Sequence, residues 1–477
     1  MSVEIDTRPI WVLLALRALK PLFYIVLAAV FLYLVAMPAP AGLSAAGQRA
    51  IAIFIVCLVL WVSNMVPLAI TSLFAIVLVP ALGVLSKKET YALFGNEAVF
   101  FILGAFILAG AIMHSGLSNR IALNIMDRFG RSPRTLLLSI FLLAAFLSFI
   151  MSEHAVAAML FPIVFDISKG LGLKPGKSNY GKLLFFALAW GCVIGGVGTF
   201  LGGARVPLAI GILKESTGKS IEFLDYAVAV FPLVIVMLLA GYFLLTRFFP
   251  SEVADVSSAH AVLSRRLKGL TKMSYNEYAV GGVLGATIFA WIFFGKAAGL
   301  AAIALSAVVC LFALRLVRWK DIEEYVNWGI ILMYGGAIIL GTALDKSGAA
   351  EWIVNLLIGK WADKPWMIFA IFSLLSIFLT EAMSNAAVIA ILLPVGIGMA
   401  ERVSISPALL TYSIAVPAGL AFMFPMSTPA NAIAVSSNYI TVKDMAKGGF
   451  IMCVVAWVSF NLFAAFYWPL IGMGYGK

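Results

Sequence analysis

Two short polar stretches interrupt long apolar sequence, and their side chains are the ones best suited to chemistry. Ser384-Asn385-Ala386 lies between the apolar runs 366–379 and 387–393, and Ser152-Glu153-His154 has a similar setting. Polar groups in such surroundings need internal partners or water, so a helical hairpin whose tip ends inside the protein is the simplest arrangement. Free N–H groups and helix ends at such a tip suit an ion or an anionic ligand.

The two stretches belong to a longer pattern that repeats along the chain. Three pairs of identical residues are each separated by 232 positions: Ser152 and Ser384, Pro162 and Pro394, and Gly116 and Gly348. A common offset through three residue types is rarer than chance matches between Leu-rich and Ala-rich segments. The sequence therefore predicts a duplicated unit that fills most of the chain, as in many membrane carriers.

Composition determines the class of protein. The chain has 477 residues, of which 63% are hydrophobic and only 12% are charged, whereas soluble domains contain about 25% charged residues. Apolar runs of about 20 residues recur from Pro21 to Trp468, so we predict an all-α polytopic membrane protein with about 11 spans. The net charge of +11 lies mostly in short connections, which fits the positive-inside rule and argues against a nucleic-acid partner. The four cysteines are isolated in apolar runs and predict no metal or redox cofactor.

Glycine and proline mark two of the predicted spans as broken helices. The span at 181–213 contains the glycine-rich run 195–205, and the span at 407–440 contains prolines at 425 and 429. Re-entrant hairpins are predicted at 135–167 and 365–397. The remaining spans are predicted at 20–37, 47–64, 66–85, 97–117, 226–249, 277–295, 298–317, 327–345 and 446–474.

This pattern divides the chain into four segments with a predicted topology. They are N-terminal scaffold spans (1–92), a first repeat (93–250), a cytoplasmic linker with scaffold spans (251–325) and a second repeat (326–477). If each hairpin enters and leaves on one side, the clusters of Lys and Arg share the face of the amino terminus, which should be cytoplasmic with the carboxyl terminus outside. An odd number of spans separates the hairpins, so we predict that the two repeats are inverted.

Several motifs resemble those of the divalent anion/sodium symporters, a family that includes bacterial di- and tricarboxylate carriers and INDY-type proteins. They are the stretch 61–71, Phe94-Gly95-Asn96, Ser384-Asn385-Ala386 and Thr428-Pro429-Ala430-Asn431. The resemblance covers nearly the whole chain. It implies a homodimeric transporter of the bacterial inner membrane, not an enzyme, that works by elevator-like alternating access. It also implies a Ser-Asn-Thr hairpin tip and a Thr-Pro-Pro-Asn helix break in each half, which together hold sodium ions and substrate carboxylates.

The family pattern is kept better in the second half than in the first. In the second half only Ala386 and Ala430 depart from it, whereas Glu153 and His154 replace Asn and Thr in the first hairpin and Gly203-Ala204-Arg205-Val206 replaces the first break motif. The resemblance implies the following substrate-binding residues: Ser152, Glu153, His154, Thr199, Gly203, Arg205, Ser384, Asn385, Ala386, Thr428, Pro429 and Asn431. The implied substrates are succinate, malate, fumarate or 2-oxoglutarate, with sulfate and citrate left open.

The departures in the first half predict a change of mechanism. A fixed Arg205 would replace a sodium ion that could leave, and carrying an unpaired buried charge through the membrane without substrate is costly. We therefore expect a sodium-independent anion exchanger. The alternatives are a symporter with a residual sodium site at Ser384, Asn385 and Asn431, proton coupling through Glu153 and His154, or a Glu153–Arg205 pair that is only structural. A channel or an enzyme built on Ser152 and His154 is less favoured.

Overall fold

The computed structural model describes residues 10–63, 65–358, 364–400 and 404–474, which form helices joined by short loops with no β-strand among them. The α-helices are α1 (Ile10–Ala36), α2 (Ala45–Ser63), α3 (Leu68–Ala81), α4 (Lys87–Leu93), α5 (Glu97–Ser115), α6 (Leu117–Phe129), α7 (Pro133–Ser148), α8 (Glu153–Gly170), α9 (Asn179–Val197), α10 (Arg205–Thr217), α11 (Phe223–Phe248), α12 (Ser257–Lys268), α13 (Tyr275–Ala298), α14 (Leu300–Ala313), α15 (Trp319–Ile322), α16 (Trp328–Lys346), α17 (Ala349–Ile358), α18 (Pro365–Thr380), α19 (Asn385–Ala400), α20 (Pro407–Ala415), α21 (Pro429–Ser436) and α22 (Val442–Leu462). Short 3₁₀ turns lie at Glu323–Tyr325, Pro417–Gly419 and Trp468–Ile471, and a π-helical turn lies at Phe463–Tyr467.

The apolar helices agree with the prediction of an integral membrane protein. Within the described residues, seven helical segments are long and apolar enough to cross a bilayer. They are α2, α4 together with α5, α9, α11, α13, α16, and α22 with its continuation to Ile471. The predicted spans 66–85 and 298–317 correspond to α3 and α14, which have only 14 residues each. Such helices are about 21 Å long, shorter than a hydrocarbon core of about 30 Å, so the count of about 11 spans stays a prediction.

The order of helices α2–α11 recurs in α13–α22. Two matched pairs, α3 with α14 and α7 with α18, have equal lengths and begin 232 residues apart. The ends of matched helices also agree. Gly83 and Arg315 both adopt positive φ after α3 and α14, and Gly116 and Gly348 both do so after α5 and α16. The repeated order supports duplication. Whether the halves are inverted across the membrane stays a prediction.

Each predicted hairpin is a pair of apolar helices joined by a tight turn. α7 and α8 form the first pair, and α18 and α19 form the second. The second helix of each pair has equivalent neighbours, because α8 lies against α9 and α21 whereas α19 lies against α20 and α10. Each hairpin therefore contacts both of the broken helices, which brings the turns and the breaks into one region.

Both predicted breaks are present. Residues 198–204 separate α9 from α10, and a 3₁₀ turn followed by residues 420–428 separates α20 from α21. In the first break Gly202 lies so close to the backbone of Gly196 and of Ser148 that a Cβ would collide with both. Glycine is therefore required where the break meets the hairpin turn.

Candidate functional site

The first hairpin turn is tied to the first break by hydrogen bonds. The backbone N–H of Glu153 donates to the carbonyl of Gly202 at 3.0 Å, and Thr199 Oγ1 donates to the carbonyl of Phe149 at 2.7 Å. The hydroxyl of Ser152 caps α8 by accepting a backbone N–H at 3.4 Å. The hydroxyls of Ser152 and Thr199 therefore stabilise the backbone of the turn. The side chains that remain to form the first site are those of Glu153 and its neighbours.

Glu153 and Arg205 form a buried ion pair at this junction. Their Oε2 and Nη1 atoms are 3.6 Å apart, and the residues are only 6% and 2% exposed. Among the described residues, Nε and Nη2 of Arg205 and Oε2 of Glu153 have no hydrogen-bond partner. The arginine charge is therefore balanced by a neighbouring carboxylate, although part of its donor capacity is unused.

Arg205 also joins the two halves of the protein. Its guanidinium lies against Gly203 of the first break and Gly419 of the second, and a Cβ at either position would collide with it. The neighbouring residue, Ala418, lies at the second hairpin, because its carbonyl is 3.0 Å from Thr380 Oγ1. The two hairpin turns thus meet through Arg205 and residues 418–419.

The second hairpin turn presents oxygen atoms instead of an ion pair. Ser384 caps α19 by accepting a backbone N–H at 3.2 Å, and Thr380 Oγ1 lies 2.7 Å from Oδ1 of Asn385. The hydroxyl of Thr380 has one hydrogen to share between Asn385 Oδ1 and the Ala418 carbonyl. Each of these oxygens has two lone pairs, so both keep acceptor capacity beside this contact.

The second break has its own buried amide. Thr428 caps α21, and Nδ2 of Asn431 donates to the carbonyls of Ala421 at 3.1 Å and Phe424 at 3.4 Å and to Ser427 Oγ at 3.1 Å. Asn431 is fully buried, and its Oδ1 has no partner among the described residues. An orphaned buried acceptor is costly, so it marks a place where a donor or a cation would be stabilised.

The structure brings together part of the set predicted from the sequence. Glu153, Gly203, Arg205 and Asn385 are linked through the contacts above. His154 has an exposed side chain although it follows Glu153 directly, because successive residues of a helix point in different directions. Pro429 is likewise exposed at the start of α21, so neither residue is joined to the buried pair by the described contacts.

Ala386 and Thr428 are buried at the start of α19 and of α21. Ala386 is 8% exposed and has only a methyl group, so its contribution to a ligand is limited to its N–H near the start of α19. Thr428 is 1% exposed and its hydroxyl caps α21. Their participation in substrate binding stays a prediction.

Three residues of this region are absent from the set of site residues predicted from the sequence. Thr380 and Gly419 belong to no motif, and their roles depend on contacts between segments far apart in the chain. Glu381 carried a signal, a carboxylate in an apolar hairpin, but its position left hairpin capping and ligand contact equally open. In the structure it accepts hydrogen bonds from three consecutive N–H groups of the second break, those of residues 422–424.

The two halves differ in whether their residues fit a sodium ion. Sodium prefers neutral or anionic oxygen ligands, which the second half offers at Asn431 Oδ1 and at the turn beside Asn385. In the first half the guanidinium of Arg205 adds donors and positive charge. The residues present therefore fit a sodium ion in the second half and do not fit one in the first.

Comparison with known proteins agrees with this architecture. Residues 19–474 match the family model described as the sodium:sulfate symporter transmembrane region. The sodium-dependent dicarboxylate transporter SdcS of Staphylococcus saprophyticus is 30% identical over 437 residues, covering 86% of this chain and 84% of that protein. SdcS of Staphylococcus aureus strain NCTC 8325 is 28% identical with the same coverage.

Two solved structures share the fold. MtrF of Neisseria gonorrhoeae matches with a TM-score of 0.54 and 15% identity, covering 79% of this chain and 82% of its own. The YdaH transporter of Alcanivorax borkumensis matches with a TM-score of 0.54 and 14% identity, covering 80% and 87%. The family match over nearly the whole chain confirms the resemblance found in the motifs. The chain belongs to the sodium:sulfate symporter family of membrane transporters, the divalent anion/sodium symporters.

Proposed function

We propose that this protein is a secondary transporter that carries dicarboxylate anions together with sodium, and that its sodium site lies in the second half alone. The observation that carries the proposal is the contrast between the buried Glu153–Arg205 pair and the unpartnered Oδ1 of Asn431. The SdcS relatives, which are sodium-dependent dicarboxylate transporters, support both the substrate class and the coupling ion.

The ion pair alters the expectation of sodium-independent exchange. That expectation assumed an unpaired Arg205, which would hinder the return of the empty carrier. Because Glu153 lies 3.6 Å away, the pair adds no net charge to the moving part. The empty carrier then meets no large penalty from this site, so net transport coupled to sodium is favoured over obligatory exchange.

The second half supplies the coupling site. Ser384, Asn385 and Asn431 would hold the ion, together with carbonyl groups of the break. A bound sodium ion offsets part of the negative charge of the substrate. The protein contributes an orientation for each ligand: Thr380 fixes the amide of Asn385, and three acceptors fix the amide of Asn431.

We propose a substrate site between the two hairpin turns. The first N–H groups of α8 and α19 and the positive ends of their dipoles favour the two carboxylates of a small dianion. Succinate, malate, fumarate and 2-oxoglutarate fit this description, and sulfate and citrate are the competitors to compare. Arg205 retains unpartnered Nε and Nη2 atoms between the two breaks, where they would attract the same anion.

The remaining features of the mechanism follow from the repeat. We propose two inverted halves that alternate access to a central site by an elevator-like movement, an amino terminus in the cytoplasm and a homodimer in which each copy transports independently. The repeated helix order and the matched packing of the hairpins support the two-fold plan.

An experiment on Asn431 tests the proposed sodium site. Uptake of radiolabelled succinate into proteoliposomes is measured at increasing external sodium for the wild type, Asn431→Ala and the control Ser436→Ala, whose exposed hydroxyl donates to the Ile433 carbonyl within α21. Loss of a sodium ligand should raise the sodium concentration for half-maximal uptake by about tenfold, equivalent to roughly 1.4 kcal/mol. Equal sodium dependence in all three proteins would place the ion elsewhere.

Sodium-independent exchange is the second candidate, favoured by the unused donors of Arg205. It predicts uptake only into vesicles preloaded with unlabelled dicarboxylate, with the same rate in sodium and potassium. Proton coupling through Glu153 and His154 has less support, because the exposed His154 is not joined to Glu153 by a described contact. Its signature would be uptake that follows a proton gradient in the absence of sodium.

A further inference from the structure

Glu381 is a buried carboxylate that the proposed transport cycle leaves without a task. It lies in the turn between α18 and α19 and is only 3% exposed. An ionisable group placed inside a membrane protein is expensive and is usually functional. Its contacts are therefore informative about the second half of the site.

The carboxylate binds the unwound segment of the second break. The N–H of Phe422 donates to Oε1 at 2.6 Å, the N–H of Met423 donates to both oxygens at 3.0 Å, and the N–H of Phe424 donates to Oε2 at 3.1 Å. The thiol of Cys453 on α22 lies 3.2 Å from Oε1. Three consecutive N–H groups form an anion-binding concavity, and here the anion is a side chain of the hairpin.

One peptide group connects Glu381 to Asn431. The carbonyl of Ala421 accepts from Nδ2 of Asn431 at 3.1 Å, and the N–H of the same peptide, on Phe422, donates to Glu381 at 2.6 Å. A negative charge on the N–H side polarises the peptide and strengthens its carbonyl as an acceptor. The amide of Asn431 is thereby held with Nδ2 toward the unwound segment of the second break and with Oδ1 away from it. Oδ1 is the atom that has no partner among the described residues.

Among the described residues, the first half shows no equivalent of this arrangement. The residue 232 positions before Glu381 is Phe149, whose carbonyl instead accepts from Thr199 of the first break. In the first half, then, a side chain of the break binds the hairpin backbone, and in the second half a side chain of the hairpin binds the break backbone. The carboxylate of Glu381 therefore lies in the half whose oxygen ligands fit a cation.

We propose that Glu381 is a positioning residue that orients Asn431 through the Ala421–Phe422 peptide and, by its negative charge, raises the affinity of the second half for sodium. This inference rests on the proposed sodium coupling for its second part only. The first part concerns the backbone of residues 420–428 and is independent of what is transported.

The test compares Glu381→Gln with the wild type and with the control Cys453→Ala, which removes only the weak thiol donor. Hydrogen–deuterium exchange, read by mass spectrometry on peptides covering 420–428, reports the amides of residues 422–424. We expect their exchange to accelerate by about tenfold or more in Glu381→Gln, because an amide side chain cannot accept from all three N–H groups. Cys453→Ala should exchange like the wild type.

The second measurement is the activation of succinate uptake by sodium. A purely structural role of Glu381 would not change this sodium dependence selectively. In Glu381→Gln the sodium concentration for half-maximal succinate uptake should rise about tenfold, while the succinate KM at saturating sodium stays near that of the wild type. A similar loss in both parameters, or unchanged exchange of residues 422–424, overturns the proposal.

Two further outcomes are distinguishable. If Glu381→Gln does not fold, Glu381→Asp keeps the charge but shortens its reach, and wild-type exchange and sodium activation in that variant would contradict the proposal. If wild-type uptake requires no sodium, the proposed coupling fails, and the exchange data alone decide whether Glu381 positions the break.

Discussion

Replacing Glu153 by glutamine should convert net transport into exchange. The variant leaves Arg205 as an unpaired buried cation, since the two groups are 3.6 Å apart and nearly inaccessible to solvent. At that separation and an effective dielectric constant of about 20 their attraction is about 4–5 kcal/mol, and breaking a buried pair from one side typically costs about 3–5 kcal/mol. An empty carrier would then have to move this charge, whereas a carrier loaded with a dianion would have it compensated.

The assay follows labelled succinate into proteoliposomes under an inward sodium gradient. Because about 1.4 kcal/mol corresponds to a tenfold change in rate, uptake into empty vesicles should fall by at least tenfold in Glu153→Gln. Uptake into vesicles preloaded with unlabelled succinate should fall by a smaller factor. Glu97→Gln is the control, because its ion pair with Lys214 is partly exposed and contributes little.

Equal losses in empty and loaded vesicles would refute the reasoning, since a general defect affects both modes alike. A folding defect can be separated from a transport defect through the cysteines, because Cys57, Cys192 and Cys453 are buried and add to the thiol-dye signal of the exposed Cys310 only on unfolding. The variant is informative when its dye-labelling temperature stays above that of the transport assay.

Two further variants test the contacts around the pair. Gly419→Ala should abolish transport, because the added Cβ would collide with the guanidinium of Arg205. The control is Gly282→Ala, where a Cβ meets no atom within 4 Å, and this variant should transport like the wild type. Equal activity of the two variants in the vesicle assay would contradict the packing of Arg205 on Gly419. Thr380→Val, which removes the hydroxyl that lies 3.0 Å from the Ala418 carbonyl, should destabilise the protein by about 1–3 kcal/mol; an unchanged dye-labelling temperature would show that this contact is not energetically important.

The interruptions of the helices could be predicted from the sequence because proline and glycine act locally. The glycine-rich run 195–205 contains the first break, and the prolines at 425 and 429 lie within and at the end of the second, although α20 already ends at Ala415. Helix length was harder to predict. α3 and α14 each end after 14 residues, two positions before a residue with positive φ, although apolar residues follow both ends. Hydropathy detects apolar composition, and it does not detect such a terminus.

The site could be predicted only in part, because its central contacts join distant segments. Motifs identified Arg205 and Asn385, and the sequence left open whether Glu153 neutralises Arg205. The distance between them settles that they are paired, which changes the expected charge of the first site. No pattern in the sequence indicated that Arg205 packs on Gly419 or that Glu381 binds the second break, since neither contact has a local signature.

One half of the protein holds a fixed ion pair, and we propose that the other half holds the coupling ion. This assignment is tested by the uptake of radiolabelled succinate by the wild-type protein into proteoliposomes without internal substrate, in the presence and absence of an inward sodium gradient. We expect concentrative uptake that requires sodium. Uptake confined to preloaded vesicles and indifferent to sodium would contradict the claim and would make the protein an anion exchanger.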